Sequence, residues 1–181
     1  LILIAPKIEL ESQHSHLIPF GTPESGIYAE NIQISSGSTR FNLVYEGTDL
    51  GEFLLPMLGQ HNIYNALAAL ALCLKLGASA YDLKDGLANF KGVLRRMQPL
   101  VNKPEIVYYD DYAHHPTEID AAVAALREAF PNRRILGLFQ PHLFSRTRDF
   151  WSGFQTSLQQ VDELILMDIY PARELPISGI N

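Results

Sequence analysis

At 181 residues the chain has room for one large domain or two small ones, and for a substantial core. Its composition, 47% hydrophobic and 19% charged with a net charge of −6, fits a soluble globular protein and argues against a nucleic-acid binder, which would be basic. No apolar run approaches the roughly 20 residues of a membrane span, and a single cysteine, Cys73, rules out an internal disulfide and suits a reducing compartment.

Leu1–Ala5 reads as a core strand with neither a start methionine nor a signal-peptide pattern. The far end, Pro176–Asn181, reads as a loop after a strand, so the chain is expected to be a piece of a longer polypeptide. Residues 1–57 predict strands and turns. Ile27–Ile34, Phe41–Tyr45 and Phe53–Leu55 are separated by Ser35-Ser36-Gly37-Ser38 and Glu46-Gly47-Thr48-Asp49, the pattern of antiparallel hairpins. His14 and His16 have the spacing of a metal pair but no third ligand nearby, and are expected to be solvated loop histidines.

After Leu58-Gly59-Gln60, the run from His61 is rich in alanine and leucine and predicts a helix to Leu76, ended by Gly77. It is apolar nearly all round, so it is expected to be buried, with Cys73 as a plain core thiol. Asn62 and Asn65, three apart, share a face at its start. They either cap and solvate the helix end or form two amides that read a ligand. Ser79–Phe90 predicts a second helix with Ser79 as cap and Asp82 three residues on. Lys91–Pro99 is a glycine-containing connector, and the domain boundary is placed near Gly92–Arg95.

From Arg96 the pattern is strand, helix, strand, helix, strand: Glu105–Tyr109, Pro116–Phe130, Arg134–Phe139, Arg146–Gln159 and Leu164–Asp168. Such alternation means βαβ units and a parallel sheet. The first strand runs into Asp110, Asp111, Tyr112, His114 and His115 before Pro116 opens a helix, where a proline costs nothing and Glu118 suits the positive helix end. Ligands bind at the carboxyl edge of such sheets, and this density of titratable groups points to a charged ligand. All three strands end in polar motifs and, being parallel, are expected to put those ends along one edge, so that Asp111, His114, His142, Arg146 and Tyr170 line one cleft.

No phosphate loop of the G-x-x-x-x-G-K-[ST] kind and no G-x-G-x-x-G motif is present, nor any Gly-Lys pair. A self-sufficient P-loop nucleotide triphosphatase and an ordinary dinucleotide domain are therefore excluded. The remaining cations Arg96, Arg146 and Arg148, with acids and imidazoles, suit a phosphorylated or carboxylated ligand, which arginine matches bidentately, in a phosphoryl or acyl transfer. Arg133 and Arg134 read as solvated surface charge. Two rivals stay open: a metal-dependent phosphoesterase using Asp110, Asp111, His114 and His115, and a non-catalytic ligand-binding module. Against the first, His115 lies just before Pro116, where it need only cap the helix.

The motifs HNIYN, GVLRRMQ, DDYAHHPTE, FQPHLFSRTRD and DIYPARELPI, in this order, resemble the Mur ligases of peptidoglycan synthesis. The resemblance runs from about Leu58 to the end and extends to residues 1–57 as preceding strands. It implies an α/β fold: residues 1–93 as the end of a central ATPase domain, and residues 94–181 as a Rossmann-like C-terminal domain with a mostly parallel sheet. It also implies an ATP- and Mg2+-dependent reaction in which a substrate carboxylate takes the γ-phosphoryl group and an amine attacks the acyl phosphate. The FQPH…SRTRD pattern favours the members that join L-alanine to UDP-N-acetylmuramate over those that recycle murein tripeptides. By resemblance, Asn62 and Asn65 lie near the adenine and ribose of ATP, Arg96 faces its phosphates, and Asp111 contacts the nucleotide. Catalysis falls to Arg96, Asp111 and His114, and Tyr112, His114, His142 and Arg146 bind the amino acid and the muramoyl carboxylate. Leu143 stands where many members carry arginine. The phosphate loop and the metal ligands are expected outside this chain, which alone is expected to be inactive, and the parent to be cytoplasmic.

Overall fold

The computed structural model describes residues 2–4 and 17–180; His14 and His16 lie outside them, as do Leu1, Ala5 and Asn181. The chain forms two compact units, Leu1–Leu94 and Arg95–Asn181.

In the first unit a short parallel pair joins β1 (Ile2–Ile4) to β2 (Leu17–Pro19). A single 3-10 turn at Pro23–Ser25 leads into an antiparallel meander of β3 (Ile27–Ser35), β4 (Ser38–Tyr45) and β5 (Thr48–Leu55). The hairpins sit where the glycines predicted them, although β4 and β5 begin earlier than expected. Between β4 and β5 only Glu46 and Gly47 intervene, with φ of 48° and 78°; two positive φ values make the turn whose twist matches the flanking strands. Along β4, Thr39, Phe41 and Leu43 point inward and Arg40 points out, as period two requires. Phe41 lies opposite Phe53, their rings stacked 6.0 Å apart.

Helix α1 (Gln60–Lys75) closes this core. It is not buried all round: Ile63, Ala66, Leu67, Leu70 and Ala71 form one buried face, while Leu76 just beyond it is 79% exposed. Cys73 is only half-buried. Helix α2 (Ala80–Ala88) starts as predicted, with the Ser79 hydroxyl accepting from the Asp82 amide at 3.1 Å, and packs Leu83 and Leu87 on the core.

The second unit departs further from expectation. A strand missing from the sequence reading, β6 (Gln98–Asn102), pairs antiparallel with β7 (Val107–Asp110). Then come α3 (Pro116–Ala129), β8 (Leu136–Phe139), α4 (Phe144–Asp149), α5 (Trp151–Leu158) and β9 (Glu163–Leu166). The single helix predicted for Arg146–Gln159 is two helices meeting at Phe150. β8 and β9 are parallel, in register Leu136 to Glu163, and the pairing continues in a bridge between His142 and Tyr170. Among the described residues no ladder joins β7 to β8, so the shared edge of three parallel strands is not formed. The core is Ile119, Val123 and Phe154, with Phe139 5.5 Å from Phe154. Leu136 and Leu138, alternating with it, are 60% and 61% exposed. No helix of the described residues is long and apolar enough to cross a membrane.

Candidate functional site

The end of β7 is organised by backbone hydrogen bonding. Asp111 Oδ2 accepts the Met97 amide at 2.8 Å, and the Tyr112 amide donates to the Arg95 carbonyl at 2.8 Å. Arg95 and Met97 have φ of 58° and 45°, a left-handed conformation that costs a non-glycine residue about 1–2 kcal/mol. Gln98 Oε1 accepts the Arg95 amide at 2.9 Å, so partners from β6 and β7 hold this turn. Arg95 is not idle surface, as its side chain lies 4.6 Å above the Tyr112 ring and 3.8 Å from Asp110. Among the described residues the Arg96 guanidinium has one contact, to Glu118 Oε1 at 3.7 Å, which leaves most of its donors without a partner there.

Helix α3 begins at His115, whose ring accepts from the Thr117 amide, while Glu118 reaches back to the His114 and His115 amides at 2.8 and 3.1 Å. His115 is therefore the helix cap. His114 Nδ1 lies 2.9 Å from the Tyr112 carbonyl and 3.2 Å from Glu118 Oε2. Both neighbours are acceptors, so Nδ1 carries the proton and Nε2 is the open nitrogen. Burial pushes the Glu118 carboxyl up, but the His114 amide and ring, Arg96 and the His115 amide together hold it below the usual range.

A second cluster follows β8. His142 stacks on Tyr170 at 5.4 Å, and its Nδ1 is buried with no hydrogen-bond partner among the described residues. Arg146 is half-buried, and its guanidinium has no hydrogen bond or ion pair to a described residue, whereas Arg148 pairs with Asp149. The positive end of α4 is already filled: Glu174 accepts from the Ser145 amide at 2.9 Å and from its hydroxyl. The sequence reading missed Glu174, whose one local signal was an acid after the Pro171-Ala172-Arg173 turn.

Packing, not a ladder, brings the two clusters' helices together. The His115 ring meets Phe150 edge-on at 4.5 Å, and the Ser157 hydroxyl donates to the Pro116 carbonyl. A groove of about 390 Å³ beside α5, with Phe139, Phe154 and Leu164 among its walls, is lined by none of the predicted site residues. Arg134 is surface charge as expected, 77% exposed and paired with Glu163, while Arg133 donates to the Pro104 carbonyl at 2.6 Å.

In the first unit Asn62 is buried, donating to the Leu58 carbonyl at 2.7 Å, and its own carbonyl accepts from Asn65 at 3.4 Å. It does not cap α1, since that position is Gly59. Asn65 is exposed and keeps acceptor and donor capacity toward solvent.

Among the described residues no group of three or more His, Cys, Asp or Glu is placed to hold a metal ion. The acids and imidazoles of the phosphoesterase reading instead hold protein groups: Asp110 faces Arg95, Asp111 takes the Met97 amide, and His115 caps α3.

Comparison with known proteins agrees with the motifs. Residues 5–73 match the Mur ligase middle domain, and residues 95–178 match the Mur ligase, glutamate ligase domain. The chain is 49% identical over 158 residues to UDP-N-acetylmuramate–L-alanine ligase of Flavobacterium psychrophilum, covering 87% of this chain and 35% of that protein. The corresponding ligase of Cytophaga hutchinsonii is 42% identical over 175 residues, 96% of this chain and 38% of that one. The crystal structure of UDP-N-acetylmuramate–alanine ligase from Thermotoga maritima superposes with a TM-score of 0.73 at 32% identity, covering 84% of this chain and 34% of that one. The chain thus spans about a third of the length of the relatives it matches, and it belongs to the Mur ligase family.

Proposed function

We propose that the chain is part of an ATP-dependent ligase that joins L-alanine to UDP-N-acetylmuramate in peptidoglycan synthesis. Residues 1–93 are read as the end of the ATPase domain and 94–181 as the C-terminal domain. The 49% identity to an alanine ligase is the observation that carries this reading. A reaction consuming ATP and a nucleotide-activated sugar places the parent enzyme in the cytoplasm, serving cell-wall growth and hence cell shape and division.

Residues of each unit, taken by itself, fit parts of a nucleotide. Asn65 offers an open amide, backed by buried Asn62, for the adenosine. Arg96 has unspent donors for phosphate oxygens, and Asp111 has one oxygen left for a ribose hydroxyl. ATP supplies the phosphoryl group that activates the carboxylate. Among the described residues no group of acids, histidines or cysteines is placed to hold a Mg2+ ion.

This chain's own residues bind and orient. Arg96 stabilises charge on the phosphate oxygens as transfer proceeds. The Arg146 guanidinium, without a partner among the described residues, anchors a substrate carboxylate, of the amino acid or of the muramoyl group. Tyr112 and His142 shape that site, and open Nε2 of His114 takes a proton from the attacking amine.

The test uses the full-length parent, supplied with ATP, UDP-N-acetylmuramate and L-alanine. ADP release that depends on both partners, with the amide product seen by mass, is expected. Turnover with a murein tripeptide in place of L-alanine, at a rate alanine does not match, would assign the recycling reaction instead.

A further inference from the structure

The loop after β9 lies along the loop that enters α4, and hydrogen bonds tie the two together. Gln140 Nε2 donates to the Asp168 carbonyl at 3.3 Å, the Tyr170 amide to the Pro141 carbonyl at 2.8 Å, and the Leu143 amide to the Tyr170 carbonyl at 2.9 Å. The series ends at Glu174, whose two carboxylate oxygens take the amide and the hydroxyl of Ser145. We propose that Glu174 is a positioning residue, which sets the start of α4 and through it the guanidinium of the adjacent Arg146.

Helix α4 has little of its own to hold it. It is six residues long, too short for a helix to persist unaided. Its N-cap, Leu143, has φ of 73° and no side-chain cap bond. At its start the Thr147 amide and hydroxyl return to the Leu143 carbonyl, a closure local to the turn, so beyond the Leu143 amide on Tyr170 the helix start calls for a second anchor. Glu174 supplies that anchor from a turn of its own, Pro171–Glu174, closed by the Glu174 amide on the Pro171 carbonyl at 2.9 Å. The Ser145 hydroxyl and amide, then the nearby Phe144 amide and Arg148, hold its carboxyl below the usual range, so it is charged at neutral pH. A built-in anion at the helix end leaves the Arg146 guanidinium as the attachment for an external carboxylate. Displacing such an anchor by even an ångström is costly in rate.

This inference rests on the reading of Arg146 as the carboxylate anchor, so the experiment separates the two. In the full-length parent, KM for each substrate and kcat are measured for Arg146→Ala, Glu174→Ala, Glu174→Gln and the double alanine variant. Glu174→Ala is expected to raise the KM of the same substrate as Arg146→Ala, by about tenfold, and to add little in the Arg146→Ala background. Glu174→Gln is expected to restore KM, because its amide accepts the Ser145 N–H and donates to the hydroxyl. In the 181-residue chain, faster Ser145 amide exchange in Glu174→Ala, reversed in Glu174→Gln, supports the clamp. Additive losses, a uniform fall in kcat with unchanged KM, or unchanged Ser145 exchange would overturn the positioning role. No change of any KM in Arg146→Ala would overturn the Arg146 reading and this proposal with it.

Discussion

Asp111 and Met97 are joined by a hydrogen bond of 2.8 Å from the methionine amide to the aspartate carboxylate. Met97 is 2% exposed and its φ is 45°, so a buried side chain and a costly backbone conformation are held by one acid from the end of β7. An acid first singled out for a ligand thus has structural work whether or not a ligand is bound.

Asp111→Ala is expected to lower the stability of the Arg95–Asn181 unit by about 1.5–3 kcal/mol, the value of a hydrogen bond to a charged group. Asp111→Asn, which keeps an acceptor, is expected to retain most of that. Urea unfolding of both variants checks the difference, and equal losses would show that the charge, not the acceptor, matters.

Two glycine-to-alanine changes in helices are expected to have opposite signs. Gly86 in α2 has open space where a Cβ would stand, so Gly86→Ala should stabilise by about 0.4–1 kcal/mol through the unfolded chain. At Gly153 in α5 the added carbon would lie 2.7 Å from Pro116 Cγ, a ring that cannot swing aside. Gly153→Ala should therefore destabilise by about 1–3 kcal/mol despite alanine's better helix propensity. Thermal melts of the two variants decide it.

In the full-length parent, Arg96→Ala should reduce kcat by about 10³-fold, the scale of an arginine that stabilises a transferring phosphoryl group. Arg95→Ala is expected to act differently, because Arg95 covers the ring of Tyr112 at 4.6 Å. It should raise KM for the substrate that Tyr112 is proposed to bind and leave kcat within about threefold. Steady-state kinetics with each substrate varied would expose an exchange of these roles.

Acid should loosen the second unit partly through Asp162. Its carboxylate takes the Ile135 amide at 2.7 Å and Arg127 at 2.8 Å, and these contacts, the amide first, hold its pKa below the ordinary value. A pKa lower in the folded state means stability fully present above the unfolded value of roughly 3.9 and lost as pH falls through the folded one. Asp162→Asn should therefore lower the urea midpoint at pH 7 and flatten its decline below about pH 4. A midpoint curve parallel to that of the unaltered chain would contradict this assignment.

Local chemistry was legible where one segment decides its own shape. Ser79 and Asp82 marked the start of α2, Gly47 marked a hairpin, and Pro116 with Glu118 marked the start of α3. β6 escaped because Pro99 and the preceding Gly92 argue against a strand, yet the ladder tolerates the proline beside an irregularity between Pro99 and Val101. The break at Phe150 carries no glycine or proline to announce it; that ring is turned instead to His115. The pins at Met97 and Ser145 join residues 14 and 29 apart in the chain, and periodicity has no term for such distances. Expecting the strand ends to share one edge failed for the same reason: which strands become neighbours is decided by partners, not by alternation.

The Ser145–Glu174 contact also has a direction in time. Synthesis runs from the amino end, and the acid is made 29 residues after the serine it holds. While a ribosome is still adding those residues, α3 is already made, β8 gains its partner only with Glu163–Leu166, and the turn bearing Arg146 at the start of α4 still lacks its contact to Glu174. The nascent chain therefore acquires the shape of this turn late, after the helices that flank it. A translational pause before residue 174 is expected to leave the start of α4, and with it Arg146, without the Glu174 contact.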